Sequence, residues 1–223
     1  MAVQFTRLGK EIVMAVKAGG PNPESNSALR TVIQNAKAVN MPKDRVEAAI
    51  KRASSKDSSN YEEIVYEGYA PHGVAVLVET ATDNTNRTVA NVRSYFTKTN
   101  GALGKTGSLD FIFSRKAVFR FDPGERDLEE LELELIDGGL EDLFVEANEE
   151  GNPEAVIHTA YEDFGKMQKT LEEMGIETQS AKLERVAQSF KEVTEEQAAD
   201  VMKLIDKLEE DDDVQAVYYN IAE

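Results

Sequence analysis

The 223-residue chain contains no cysteine, only two histidines and only six prolines. Without cysteine there are no disulfides, no thiolate zinc sites and no cysteine nucleophile. His72 and His158 lie far apart in sequence, so a His-rich metal centre is not expected. Apolar residues never run to the ~20 needed to span a membrane, and no basic stretch leads into a short apolar segment of the secretory type. No P-loop, dinucleotide glycine pattern or Gly-x-Ser-x-Gly elbow occurs. The expectation is a soluble, cytoplasmic chain with no cofactor and no metal, which is not an enzyme.

Positive charge is also scarce, with 25 Lys and Arg against 42 Asp and Glu and a net charge of −17. The average hides a division. Residues 1–120 hold 17 Lys and Arg against 11 Asp and Glu, a balance of +6, whereas residues 121–223 hold 8 against 31, a balance of −23. The centres of neighbouring small domains are separated by more than one Debye length, so the acidic half need not cancel the basic half. Either one half can meet an anionic partner while the other repels it, or the acidity serves solubility and the basic excess is ordinary scatter.

Hydrophobic residues make up 41% of the chain, enough for one core or several small ones. Phe5, Leu8, Ile12 and Val16 recur at helical spacing, and Gly19-Gly20 stops that helix. Asn22-Pro23 reads as the start of a second helix carrying Leu29, Val32, Ile33 and Ala36. Pro42 opens a third with Val46, Ile50 and Ala53. The polar run 54–60 reads as a linker. Beyond it, Val74–Val78 suits a strand buried on both faces, Asp83 or Asn84 can cap a helix carrying Val89, Val92 and Phe96, and Leu109, Phe111 and Phe113 alternate as a strand. From Val118 the order is βαββαβ, the split βαβ unit of ferredoxin-like folds. A helix opened by the Thr194-x-x-Gln197 capping box and a strand from Val214 to Ile221 close the chain. The predicted fold class is α+β in three domains: a helical bundle over 1–58, a discontinuous α+β domain over 61–115 plus 190–223, and an acidic ferredoxin-like domain over 117–189 inserted within it.

The acidic runs are not obvious sites. Asp211-Asp212-Asp213 reads as a turn entering the last strand, since consecutive side chains diverge and no EF-hand spacing surrounds them. The segment Gly101–Ser108 resembles a phosphate loop only faintly, because it joins a helix to a strand in the reverse of P-loop order; its amides could still meet a phosphate. The basic residues are more suggestive. Arg30 and Lys37 lie on the second helix, Lys43, Arg45, Lys51 and Arg52 crowd the third, and Arg87 and Arg93 occupy the helix after Asp83. These eight are the candidate nucleic-acid-binding residues, expected to form one continuous phosphate-contacting surface. Against this stand a solvated helix face with pairs such as Glu47–Lys51 and, for Arg87, a structural tie between domains. Six Lys and Arg in 117–189 are far outnumbered by acids, so that unit is expected to stay clear of phosphates.

Several stretches together resemble the YebC/PmpR family. They are Gly19-Gly20, Asn26 with Leu29-Arg30, Asn40–Asp44, Ala49–Lys51, Tyr66–Gly73, Thr82–Asn84 with Asn86–Thr88, Gly107-Ser108, and Asp211–Gln215 with Tyr218 and Asn220. The resemblance covers essentially the whole chain and implies a three-domain fold of the kind outlined above. It also implies a regulator of gene expression: the family is labelled as probable transcriptional regulators, with DNA binding described for some members. It includes mitochondrial translational activators and bacterial members linked to relief of stalled ribosomes. Members usually carry a further basic, aromatic-containing stretch before the position of Phe5, where this sequence has Met1-Ala2-Val3-Gln4.

The expected function is therefore a non-enzymatic, DNA-binding transcriptional regulator. The alternative is a translation factor acting on ribosomal or transfer RNA at the ribosome, and a third reading is a protein adaptor working through its acidic unit. No helix-turn-helix with base-reading residues and no RRM aromatic motif is present, so contact dominated by phosphates suits either nucleic acid.

Overall fold

The computed structural model describes residues 1–56 and 58–223. Three helices come first: α1 (Ala2–Gly19), α2 (Ser27–Ala38) and α3 (Lys43–Ala53). Their apolar stripes bury Leu8, Ile12 and Val16 against Leu29, Ala36, Val46 and Ala49. The start of α2 differs from expectation. Asn22 lies in a turn, its Oδ1 accepting from the Glu24 amide at 3.0 Å, and the capping residue is the buried Asn26. Asn26 Oδ1 accepts from the Leu29 amide, while its Nδ2 donates to the carbonyls of Ala15 and Gly20. One side chain thus closes one helix and opens the next, satisfying groups that both ends would otherwise leave unpaired. A Cβ at Gly19 would lie 2.8 Å from Asn26 Nδ2, which explains the glycine. Of the expected linker, Asp57 lies outside the described residues; Lys17 Nζ donates to the carbonyls of Ser58 and Ser59 and to Asn60 Oδ1.

The first sheet is antiparallel, ordered β3-β1-β2-β8, and contains β1 (Glu62–Tyr69), β2 (Ala75–Thr82), β3 (Ala102–Leu103) and β8 (Val214–Tyr219). Helices α4 (Thr85–Lys98) and α7 (Glu195–Glu209) cover one face, where Val76 and Val78 meet Phe96, Val201 and Leu204. The capping box at Thr194 and Gln197 is formed. On the opposite face Ala75 and Leu77 pack against Leu109, Ile112 and Phe113, so β2 is buried on both sides.

The second sheet and the two helices that cover it comprise β4 (Phe113–Phe121), α5 (Leu128–Leu135), β5 (Leu140–Ala147), β6 (Pro153–Ala160), α6 (Phe164–Glu173) and β7 (Ser180–Ala187). Its order β5-β6-β4-β7 is that of the split βαβ unit, and Phe119, Phe121 and Ile157 pack beneath Leu131, Leu135, Met167 and Leu171. The alternation Leu109, Phe111, Phe113 is not a strand. Residues 106–112 form consecutive turns, Gly107 has φ +87°, and pairing begins only at Phe113 opposite Ala187.

The helical unit touches both sheets. Arg7 donates to the carbonyls of Val214 and Glu209, and Gln215 returns a bond to the Arg7 carbonyl. On α2, Asn35 makes a two-point contact with Ala181 of β7, its Nδ2 donating to the carbonyl at 3.0 Å and its Oδ1 accepting the amide at 2.9 Å. Where these parts meet lies a cavity of approximately 850 Å³, whose lining includes Glu11, Glu63, Glu79, Arg115, Lys182 and Tyr218.

Candidate nucleic-acid interface

All eight candidate cations are exposed, but helical geometry sorts them. Arg45 and Arg52 are seven residues apart on α3, about two turns, and share a stripe. That stripe runs along α1. The Arg45 guanidinium stacks over the Phe5 ring at 5.6 Å, and a Cβ at Gly9 would lie 3.9 Å from Arg52 Nη2. Because Phe5 and Gly9 are themselves one turn apart, α1 offers a continuous seat for both side chains. Arg30 and Lys37 repeat the seven-residue spacing on α2, with Arg30 donating to the Pro23 carbonyl at 3.4 Å. Lys51 is turned about 100° from its neighbour Arg52 and does not join the stripe. Glu47 pairs with Lys43 at 3.8 Å, not with Lys51 as the spacing had suggested.

The two candidates on α4 are arranged differently. Arg87 and Arg93 are six residues apart, so they leave the helix about 120° from each other. Arg87 is also committed elsewhere, donating from Nε and Nη2 to Asp213 at 3.0 and 2.7 Å and from Nη2 to Asp83 at 3.0 Å. The Asp213 side chain is 5% exposed, and it also accepts from Thr88 Oγ1 at 2.9 Å and faces Lys10 Nζ at 3.6 Å. Burial alone would raise its pKa; the bonds from Arg87 and Thr88 outweigh that and hold it below the ordinary aspartate value. Lys10 in turn donates to the carbonyls of Ala81 and Asp212. The Thr82–Thr88 and Asp211–Asp213 motifs are thereby one assembly, clasping α1 to the first sheet. Capping of α4 falls to Asn84, whose Oδ1 accepts from the Arg87 amide.

The three consecutive aspartates diverge. Asp211 accepts from Tyr95 Oη and the Asp213 amide, Asp213 turns to Arg87, and Asp212 is exposed. Burial, then the Asp211 hydrogen bond, pushes the Tyr95 pKa up to about 12. Among the described residues no group of three His, Asp or Glu is placed to hold a metal ion. The faint phosphate loop is also accounted for. Glu67, 2% exposed, accepts the amides of Gly107 and Leu109, so a carboxylate of the chain itself occupies the place an anion would take. His72 meets Asp200 at 2.9 Å, and His158 packs edge-on against Phe144, its pKa lowered by burial.

Two residues absent from the sequence-based set stand out. Phe111 is 72% exposed although Leu109, Ile112 and Phe113 beside it are buried, and Phe190 is 63% exposed. Phe111 had been absorbed into a strand alternation. Phe190 carried the better signal, a lone aromatic in the polar run Ser189–Glu192. The residues that dock α2, Gln34 and Asn35, were hidden for another reason: their partners Thr178 and Ala181 lie more than a hundred residues away.

The TACO1/YebC protein N-terminal domain matches residues 1–56, and the TACO1/YebC second and third domain matches residues 61–221. Proteins called probable transcriptional regulatory proteins are similar throughout. One from Flavobacterium johnsoniae is 58% identical over 100% of this chain and 92% of its own length. Another, from Myxococcus xanthus, is 54% identical with the same coverage. The crystal structure of a conserved hypothetical protein from Aquifex aeolicus, 40% identical, superposes with a TM-score of 0.84 over 99% of this chain and 90% of that one.

Proposed function

The chain belongs to the TACO1/YebC family, and from that premise we propose a non-enzymatic regulator of gene expression that grips nucleic acid by its phosphates. The observation that carries this reading is the Arg45/Arg52 stripe, two exposed guanidinium groups seated along α1 and repeated in spacing by Arg30 and Lys37. Guanidinium groups suit phosphate oxygens, and a row of them one or two turns apart follows a backbone without reading bases. The unit over 1–58 is the contacting part in this proposal. The α+β unit over 61–115 and 190–223 supports it through the Asp213 clasp, and the acidic unit over 117–189 faces away from phosphate or toward a protein partner. The proposed site of action is the cytoplasm.

The names of the relatives favour DNA as the target. The exposed rings of Phe111 and Phe190 favour the second reading, a translation factor on ribosomal or transfer RNA, because duplex DNA keeps its bases stacked away from such rings. Crosslinking in living cells, followed by identification of the attached nucleic acid, separates the two. Promoter DNA is expected from the first and ribosomal or transfer RNA from the second. Recovery of neither, from a chain that crosslinks only to protein, would overturn the proposal.

A further inference from the structure

We propose that Phe111 and Phe190 form a stacking surface for unpaired bases of an RNA strand, an inference that rests on the nucleic-acid reading above. Both rings sit on the two segments that carry the chain from the first sheet to the second and back. These segments are joined to each other, since the Gln188 amide donates to the Ile112 carbonyl at 2.7 Å and Phe113 lies opposite Ala187. Their backbones are tied down on both sides. The Leu109 amide is held by Glu67, and the Leu109 carbonyl accepts from Ile112 and Phe113 at 2.9 and 3.1 Å. On the other segment, Asn220 donates to the Ser189 carbonyl at 3.2 Å and its own carbonyl accepts the Lys191 amide at 2.7 Å. Two large apolar rings are thus held out to water on anchored backbone, rather than on a frayed loop that could fold them away.

The surroundings suggest what covers them. Residues 98–116 include Lys98, Lys105, Arg115 and Lys116 against the single acid Asp110, although Lys116 pairs with Glu141 and Arg115 lies over the Tyr161 ring; Lys191 follows Phe190 directly, with Glu192 next. Lys98, Lys105 and Lys191 are exposed. The other strongly exposed apolar pair, Leu133 and Ile136, lies in and just beyond the Glu-rich helix α5, a setting of opposite sign. Exposed rings on segments that also carry exposed lysines match a nucleic-acid strand whose bases stack while its phosphates meet lysine. Duplexes cannot supply such bases, whereas loops and bulges of RNA can. The anchored backbone lowers the ordering cost of capture.

The test compares the full chain with Phe111→Ala/Phe190→Ala and Phe111→Leu/Phe190→Leu, using a fluorescent short single-stranded RNA, the same sequence as deoxy strand, and its RNA duplex. Both rings are exposed, so melting temperature should hold; the Leu pair keeps apolar bulk should the Ala pair unfold. Both variants should bind single-stranded RNA at least about tenfold more weakly than the parent, with duplex affinity unchanged. Loss of the deoxy strand alongside the RNA supports the same stacking. Full retention by the Leu pair, equal loss on duplex, loss confined to the deoxy strand, or no loss on single-stranded RNA would each overturn the proposal. If Arg45→Ala/Arg52→Ala abolishes binding while the Phe variants bind normally, stacking fails and the phosphate reading survives. A parent chain that binds none of the probes removes both.

Discussion

Arg87 and Asp213, 126 positions apart in sequence, meet in a two-pronged ion pair, with Nε to Oδ2 at 3.0 Å and Nη2 to Oδ1 at 2.7 Å. The pairing is lopsided. The Asp213 carboxylate is almost wholly buried, whereas 46% of the Arg87 side chain faces water. Arginine's planar fork matches a carboxylate in this geometry, and the arrangement makes the guanidinium a partner for the buried charge before any external anion arrives.

Arg87→Ala should accordingly lower stability and leave nucleic-acid binding largely intact. Hydrogen bonds to charged groups contribute about 1.5–3 kcal/mol, and solvent screening of the half-exposed guanidinium moves the expected loss to about 1–2 kcal/mol. Thermal melting should shift down by roughly 2–8 °C in a chain of this size. An unchanged melting temperature with weakened binding would return Arg87 to the interface.

Acid and base act oppositely on two carboxylates, the buried Asp213 and the half-buried Glu79. Asp213 has a lowered value in the fold, so its stabilisation is present above the unfolded aspartate value, about pH 4, and is lost as pH falls through the folded one. Glu79 is raised, first by burial, so its contribution is complete below the ordinary glutamate value and is lost as pH rises through the raised one. Glu79→Gln should therefore be more stable than the parent near neutral pH, with the advantage vanishing near about pH 4. Urea midpoints at both pH values check this, and a variant less stable at neutral pH contradicts it.

Gly68→Ala should be poorly tolerated. Its Cβ would lie 2.6 Å from the Ala102 carbonyl oxygen and 2.9 Å from Phe96 Cε1, where neither backbone nor a fully buried ring can give way. Overpacking of this kind costs about 1–3 kcal/mol, measurable as a lower urea midpoint with an unchanged slope.

Arg45→Ala/Arg52→Ala should flatten the dependence of log affinity for duplex DNA on log salt by up to about 0.9 for each lost phosphate contact. Sequence preference should hardly change. Equal slopes for parent and variant would remove the α1–α3 stripe from consideration.

Much of the fold was legible because its elements are locally consistent. The stripes through Ile12, Leu29 and Val46, the apolar run Val74–Val78 and the Thr194–Gln197 box each describe their own surroundings. The failures came where a distant partner decided the outcome. Asn26 took the capping role from Asn22 because it also closes α1, and Glu67, forty residues before Gly107, set its own carboxylate in the turns of 106–112 as the anion their amides hold. The candidate site was legible only as charge. Position within a helix shows which cations share a stripe, but not that a buried aspartate claims Arg87, nor that two rings stand uncovered.

Asn35 has a consequence beyond holding α2 in place. Strand β7 is the last in its sheet, and its outer side would offer unpaired amides and carbonyls to any extended chain. By taking both polar groups of Ala181, Asn35 imitates one rung of a neighbouring strand and denies that template to a second molecule. If the helices swung away from this face, β7 would become a nucleus for strand addition between copies. At that one rung the helical unit takes the place of a fifth strand.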